Sequence, residues 1–192
     1  MNEPSLPEKI VAIHERLTRV RVPHAFGGAL ALAYYAEPRA TIDVDLNLFV
    51  APSAYPDVER ELAKIGVGDG IEPEIVERDG QCRLQWGSTP IDLFFAYDAL
   101  HDAMRRAVRS EPFGETRIPV LAPEHLLVCK AIFNRPKDWL DIEQMLVCVE
   151  ELDMAEVRTW LNRIVGTDDP RRERFERAVE ALSAGGPSAR QA

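Results

Sequence analysis

Apolar and polar residues alternate at two different periods along this chain, and the switches between them divide it into elements. Ile10, Ile13, Leu17 and Val20 recur at three- and four-residue steps, which predicts an amphipathic helix over residues 8–19. Residues 22–26 read as a short strand leading into Gly27-Gly28, and the Ala- and Leu-rich stretch 28–36 as a helix stopped by Pro38. Over residues 42–50 the period falls to two. Ile42, Val44, Leu46 and Leu48 alternate with Asp43, Asp45 and Asn47, predicting a strand with one buried and one polar face. A helix over 55–65 and a glycine-rich loop at 66–70 follow. Residues 74–78 and 81–86 flank Asp79-Gly80 and are expected to pair as a hairpin. Residues 91–95 predict a further strand, 98–109 a helix and 116–121 an extended segment. Pro123 opens a pattern that stays helical to Leu182, with breaks near Pro136, Leu152 and Thr167.

This order predicts an α/β (α+β) chain. Residues 1–121 form a mixed-sheet core with flanking helices, 122–183 a helical lobe, and 184–192 a small polar tail without fixed structure. A length of 192 residues accommodates one such core with a lobe, and no internal repeat is present.

The polar face of the 42–50 strand carries the candidate chemistry. Residues i and i+2 of a strand lie roughly 6–7 Å apart on one side, so Asp43 and Asp45 point into one space and repel unless a cation sits between them. Magnesium suits such a pair, because it takes a few carboxylate oxygens and leaves positions for phosphate. Gly27 and Gly28 allow the backbone to approach a phosphate at a helix start. A third acid, Asp92, stands among Ile91, Leu93 and Phe94, where an unpaired charge costs several kcal/mol. It either caps a turn after Pro90 or completes a metal cluster. Taken singly, an Asp-x-Asp is usually a solvated face and a Gly-Gly a turn. In this order they point to phosphoryl transfer on a nucleotide.

Farther along, Lys130 interrupts an apolar run, so it either snorkels to the surface or has a specific anionic partner. Asp138 and Asp141 follow Pro136 and could simply favour the first turn of a helix.

These motifs resemble a known group. The Gly27-Gly28 pair, Asp43-x-Asp45 and Asp92 match the glycine pair, acidic pair and third acid of the DNA polymerase β nucleotidyltransferase superfamily. Gly-Gly-Ala-Leu-Ala-Leu from Gly27, then Arg39-Ala-Thr41-Ile-Asp43-Val-Asp45, resembles its AbiEii/MenT branch of toxin–antitoxin nucleotidyltransferases. The segment from Lys130 through Arg135, Lys137 and Asp138 to Asp141 is similar to that branch's lysine and basic-acidic helix entry. The likeness runs from about Val22 to Met145, and nothing after Asp141 carries a matching motif. It implies a polymerase-β-like sheet with a helical lobe completing an NTP cleft, and NMP transfer from an NTP to an RNA acceptor such as a tRNA 3′ end. It also implies an antitoxin as partner, with Thr41 as a candidate phosphorylation site. Asp43, Asp45 and Asp92 would hold Mg2+. Lys130 and Asp141 would join them in catalysis, and Gly27, Gly28, Arg39, Thr41, Lys130 and Lys137 would contact the nucleotide.

Composition narrows the alternatives. Hydrophobic residues at 46% and charged ones at 29% are globular values. No apolar run is long enough to span a membrane, the N-terminus lacks signal-peptide character, and three cysteines without C-x-x-C spacing suit a reduced, cytoplasmic protein. Four scattered histidines give no zinc or triad spacing. A net charge of −9 argues against a general nucleic-acid binder. It leaves room for a local basic patch, for which Arg105, Arg106 and Arg109 on one predicted helix, with Arg117, are candidates that could equally form a solvated face. Two other functions remain open: an antibiotic-type small-molecule nucleotidyltransferase, and an inactive module that keeps the fold.

Overall fold

The computed structural model describes residues 3–184. Helix α1 (Leu6–Arg19) forms where the apolar spacing predicts it and buries Ile10, Ile13 and Leu17. Its start is fixed by a capping box, in which the Glu8 carboxylate accepts the Ser5 backbone N–H at 2.7 Å. Lys9 lies on the buried side, only 1% exposed. Its ammonium donates to the Trp86 carbonyl at 2.7 Å and the Thr89 hydroxyl at 2.9 Å, and pairs with Glu3. These partners offset the several kcal/mol that a bare buried ammonium would cost.

After α1 come β1 (His24–Phe26), α2 (Gly28–Leu32), β2 (Val44–Leu48), α3 (Tyr55–Ala63), α4 (Pro73–Asp79) and β3 (Gln81–Trp86). β4 (Thr89–Phe95), α5 (Ala99–Ala107), β5 (Arg109–Phe113) and β6 (Thr116–Val120) complete the first part. The six strands form one mixed sheet in the order β3-β4-β2-β1-β6-β5. β2 pairs with β4 and β1 with β6 in parallel, and the other neighbours are antiparallel. Val44, Leu46 and Leu48 share the core with Ile91, Leu93 and Phe95 of β4, which is why the period-two pattern fixes the register.

Four expectations change. Residues 74–78 are not a strand but helix α4, with Pro73 in its first turn and Gly80 closing it at φ +67. Asp-Gly suits a hairpin turn and a left-handed helix cap alike, and only Val76 of the segment needs burial. The hairpin forms instead between β3 and β4, where Trp86 faces Thr89 across Gly87-Ser88. Ile42, expected on the buried face, is exposed because the strand begins only at Val44. Arg109 is not the end of a helix but the first residue of β5, and α2 stops at Leu32 rather than at 36.

By chain contacts the residues up to Ala31 and Arg39–Leu121 form one unit; Leu32–Pro38 and the residues from Ala122 form another. The second unit is α6 (Pro123–Phe133), α7 (Pro136–Cys148), α8 (Met154–Val165) and α9 (Pro170–Ala184). α6 is buried on nearly every side and packs against the other three, the position an all-round apolar helix requires. Of the tail at 184–192, Ala184 ends α9 and the rest lies outside the described residues. Among the described residues no helix is long and apolar enough to cross a membrane, and no disulfide joins Cys82, Cys129 and Cys148.

One core group makes stability depend on pH. His24 opens β1 and is 7% exposed, and burial pulls its pKa from 6.5 down to about 4. Between those values the unfolded chain binds a proton that the folded one refuses. The His24 contribution is therefore complete above pH 6.5 and lost as pH falls toward 4. At 1.36 kcal/mol per unit, the loss at about pH 5 is about 2 kcal/mol. Urea unfolding at about pH 7.5 and pH 5 should show it, and His24→Asn should flatten the slope by that amount; an equal slope in the variant refutes the assignment.

Candidate active site

Neighbouring strands bring the carboxylates together. Asp45 of β2 and Asp92 of β4 are register partners in the parallel pair, so their side chains leave the same face about 4.8 Å apart along the sheet. Asp43 lies just before β2, and its carboxylate accepts a hydrogen bond from the Thr41 hydroxyl. Asp92 is therefore neither a turn cap nor an isolated buried charge.

The glycine pair presses against this strand. Gly27 donates its N–H to the Asp45 carbonyl at 2.9 Å. A Cβ on it would sit 2.9 Å from Asn47 Nδ2 and 3.4 Å from a Leu121 methyl. Gly28 takes φ +53, and a Cβ there would overlap the Asp45 carboxylate, whose Cγ would be 2.5 Å away. Gly28 must be glycine for the chain to pass so close to an acid, whereas a side chain at Gly27 would only push the Asn47 amide aside. Since the Gly27 amide is already used by Asp45, a phosphate contact would fall to Gly28, and α2, at five residues, adds little dipole.

A cation already stands in the row. Arg83 of β3 faces Asp92 in the antiparallel register and donates to it twice, through Nε at 2.6 Å and Nη2 at 2.7 Å. Its pKa is raised first by that hydrogen bond, then by the charge of Asp92, with further contributions from Asp43 and Asp45. The three acids thus act on one cation. Among the described residues no three His, Cys, Asp or Glu side chains form a ready metal cage. That is compatible with magnesium, which takes one or two carboxylates and completes its shell with water and phosphate oxygens. The donor set is all-oxygen and anionic, and the guanidinium marks where positive charge is favoured.

Arg83 was not singled out from the sequence. Placing the turn at Gly87-Ser88 would have found it, because pairing residue 86 with 89 puts 83 opposite 92. Arg39 and Thr41 are half-buried on the segment entering β2.

The remaining candidates lie in the helical unit. Lys130 of α6 and Asp141 of α7 are each 3% exposed and form an ion pair at 2.6 Å. The snorkelling alternative is excluded, and the pair joins two helices through a buried charge contact. Asp138 is fully buried and caps α7, accepting the Arg135 backbone N–H at 3.1 Å and its guanidinium at 2.7 and 3.0 Å. Lys137, next to it, is exposed.

Comparison with solved structures places the fold. The solution structure of the antibiotic-resistance factor ANT(2'')-Ia is similar at TM-score 0.55 and 15% identity, covering 96% of this chain and 94% of that one. A putative nucleotidyltransferase from H. pylori matches at TM-score 0.55 and 14% identity over 96% and 95%. The lincosamide antibiotic adenylyltransferase LnuA, lincomycin-bound, matches at TM-score 0.54 and 12% identity over 75% and 98%. At such identities these likenesses concern the fold. No curated protein matches this sequence. The family model for the nucleotidyl transferase AbiEii toxin, Type IV toxin–antitoxin system, matches residues 19–184. That span includes the glycine pair, Asp43, Asp45 and Asp92, and the Lys130–Asp141 pair, and the chain accordingly is a nucleotidyltransferase that belongs to the AbiEii toxin family of Type IV toxin–antitoxin systems.

Proposed function

We propose that this protein is a magnesium-dependent toxin that transfers NMP from an NTP to an RNA acceptor, a tRNA 3′ end, in the cytoplasm, and that a cognate antitoxin neutralises it. The observation that carries the reading is the alignment of Asp45 with Asp92 across β2 and β4, with Gly28 packed against the Asp45 carboxylate. The acceptor hydroxyl oxygen forms a bond to the α-phosphorus, the bond to the β-phosphate oxygen breaks, Asp92 helps take the hydroxyl proton, and pyrophosphate leaves.

Asp43 and Asp45 would hold Mg2+, with Asp92 completing the set; the ion, when bound, neutralises phosphate charge and acidifies the attacking hydroxyl. The chain's own residues do the rest. The Gly28 amide and the half-buried Arg39 position the phosphates, and Lys130 and Lys137 are assigned to the triphosphate's growing negative charge. Asp141 sets the position of the Lys130 ammonium. Thr41 hydrogen-bonds Asp43, so phosphorylation there would remove that donor and set nearly two negative charges beside the acidic pair. Phosphorylation of Thr41 thus gives an antitoxin a chemical route to the site.

A small cationic acceptor is the second reading, and the net charge of −9 favours it. Purified protein incubated with Mg2+, each labelled NTP in turn, total RNA and an aminoglycoside separates the two. Label at the 3′ ends of tRNA-sized RNA is the expected result. Label on the aminoglycoside overturns the RNA acceptor, and label on neither overturns both.

A further inference from the structure

An open, basic-rimmed pocket lies in the first unit, at the far ends of β1 and β2 from the carboxylates. β1 begins at its edge with His24 and runs toward Gly27, and β2 ends at Leu48, just before Phe49, which also lines it. Its volume is about 580 Å³. Arg21 after α1, Arg105 in the last turn of α5 and Arg117 of β6 face it, with the Thr18 and Ser110 hydroxyls. Among the described residues no carboxylate lines it, in a protein with 32 acidic and 23 basic residues.

These arginines differ from most others in the fold. Arg78, Arg83, Arg135, Arg158 and Arg171 all meet a carboxylate. Arg117 meets only neutral partners, the Ser110 carbonyl and, at 3.1 Å, the Ser110 hydroxyl. Arg21 and Arg105 make no side-chain hydrogen bond or ion pair among the described residues. Three guanidinium charges thus converge without an anion.

The backbone at Arg21 is informative. Arg21 N–H bonds to the Thr18 carbonyl at 3.1 Å and Val22 N–H to the Leu17 carbonyl at 2.9 Å, the paired bonds that close a helix through a left-handed residue. That residue is usually glycine, and here it is arginine at φ +60. Glycine would suit the turn better, so the side chain's presence calls for a reason beyond closing α1. The neighbouring wall is neutral and ordered. The Val22 carbonyl accepts His24 Nδ1–H at 2.8 Å, which leaves His24 Nε2 to accept from His14 Nδ1 at 3.0 Å. Positive charge in the cavity therefore comes from the arginines.

We propose that this cavity binds a phosphate group, carried either by an RNA backbone or by a free nucleotide. Guanidinium groups match phosphate oxygens in geometry as well as charge, and the Thr18 and Ser110 hydroxyls can complete the shell. The site does not involve the catalytic carboxylates and is independent of the acceptor assigned to them.

The test uses the full chain carrying Asp45→Asn, without Mg2+, at constant ionic strength. Inorganic phosphate, AMP and a short single-stranded RNA are titrated separately, against Arg21→Gly and Arg105→Gln in the same background. At least one probe should bind, and each arginine variant should weaken it about tenfold. Arg21→Gly should melt at the same temperature as its parent or higher, which separates lost binding from lost folding. Equal binding of AMP and RNA supports a free-nucleotide site, and tighter RNA binding with the same arginine dependence supports a backbone site. Binding unchanged by either variant, or no binding of any probe, overturns the proposal.

Discussion

Asp45→Asn should lower nucleotidyl transfer by at least about a thousandfold while leaving the fold intact. Asparagine has nearly the shape of aspartate, so the packing of Gly28 against residue 45 and the hydrogen bond from Gly27 to its carbonyl are kept. What is lost is one negative charge in a row where Asp45 and Asp92 sit side by side. The two remaining acids would hold a divalent cation and its bound triphosphate far less tightly. In the absence of metal the effect on stability runs the other way. Mutual repulsion falls, while the bidentate contact of Arg83 with Asp92 is untouched. The melting temperature without metal should therefore be unchanged or higher, and the rise in melting temperature on adding Mg2+ with an NTP should shrink. Asp43→Asn should also lose activity, but it disturbs the Thr41 contact and is the less clean variant. Full activity in Asp45→Asn would end the metal-site assignment.

The legibility of this site followed the range of each interaction. The β2 alternation could be read because one face must be buried, and Val44, Leu46 and Leu48 are fully so. The glycines could be read as a close approach, but not what they approach: for Gly28 it is the Asp45 carboxylate itself. The partnership of Asp45 with Asp92 spans forty-odd residues and depends on strand order, which no local pattern encodes. Arg83 escaped notice for a local reason. Asp79-Gly80 and Gly87-Ser88 both look like turns, and Pro73 with a single buried position, Val76, decides for a helix before the first. The basic patch divided differently from its sequence. Arg105 and Arg117 join Arg21 around one cavity, while Arg106 and Arg109, adjacent in the chain, do not line it.

Lys130 should show the largest combined effect on stability and activity. Its ammonium and the Asp141 carboxylate are both buried and 2.6 Å apart. Lys130→Ala takes the ammonium away from the Asp141 carboxylate, and removing one member of a buried pair costs about 3–5 kcal/mol. A fall in activity in that variant alone would therefore prove nothing about phosphate. The double variant Lys130→Met with Asp141→Leu removes both charges and fills the space with apolar groups. Its stability should return to within about 1 kcal/mol of the parent or exceed it. The two roles then separate. A lysine that only joins α6 to α7 predicts that the restored double variant transfers nucleotides normally. A lysine that neutralises the triphosphate predicts that kcat/KM for the NTP stays down by about 30- to 1,000-fold, the loss of about 2–4 kcal/mol of transition-state stabilisation. We expect the second outcome. The reason is chemical: where a buried ion pair serves stability alone, hydrophobic residues do as well, so the charge points to a use for it. A stable double variant with normal kcat/KM would make Lys130 and Asp141 a structural clasp and leave the triphosphate to Arg39 and Lys137.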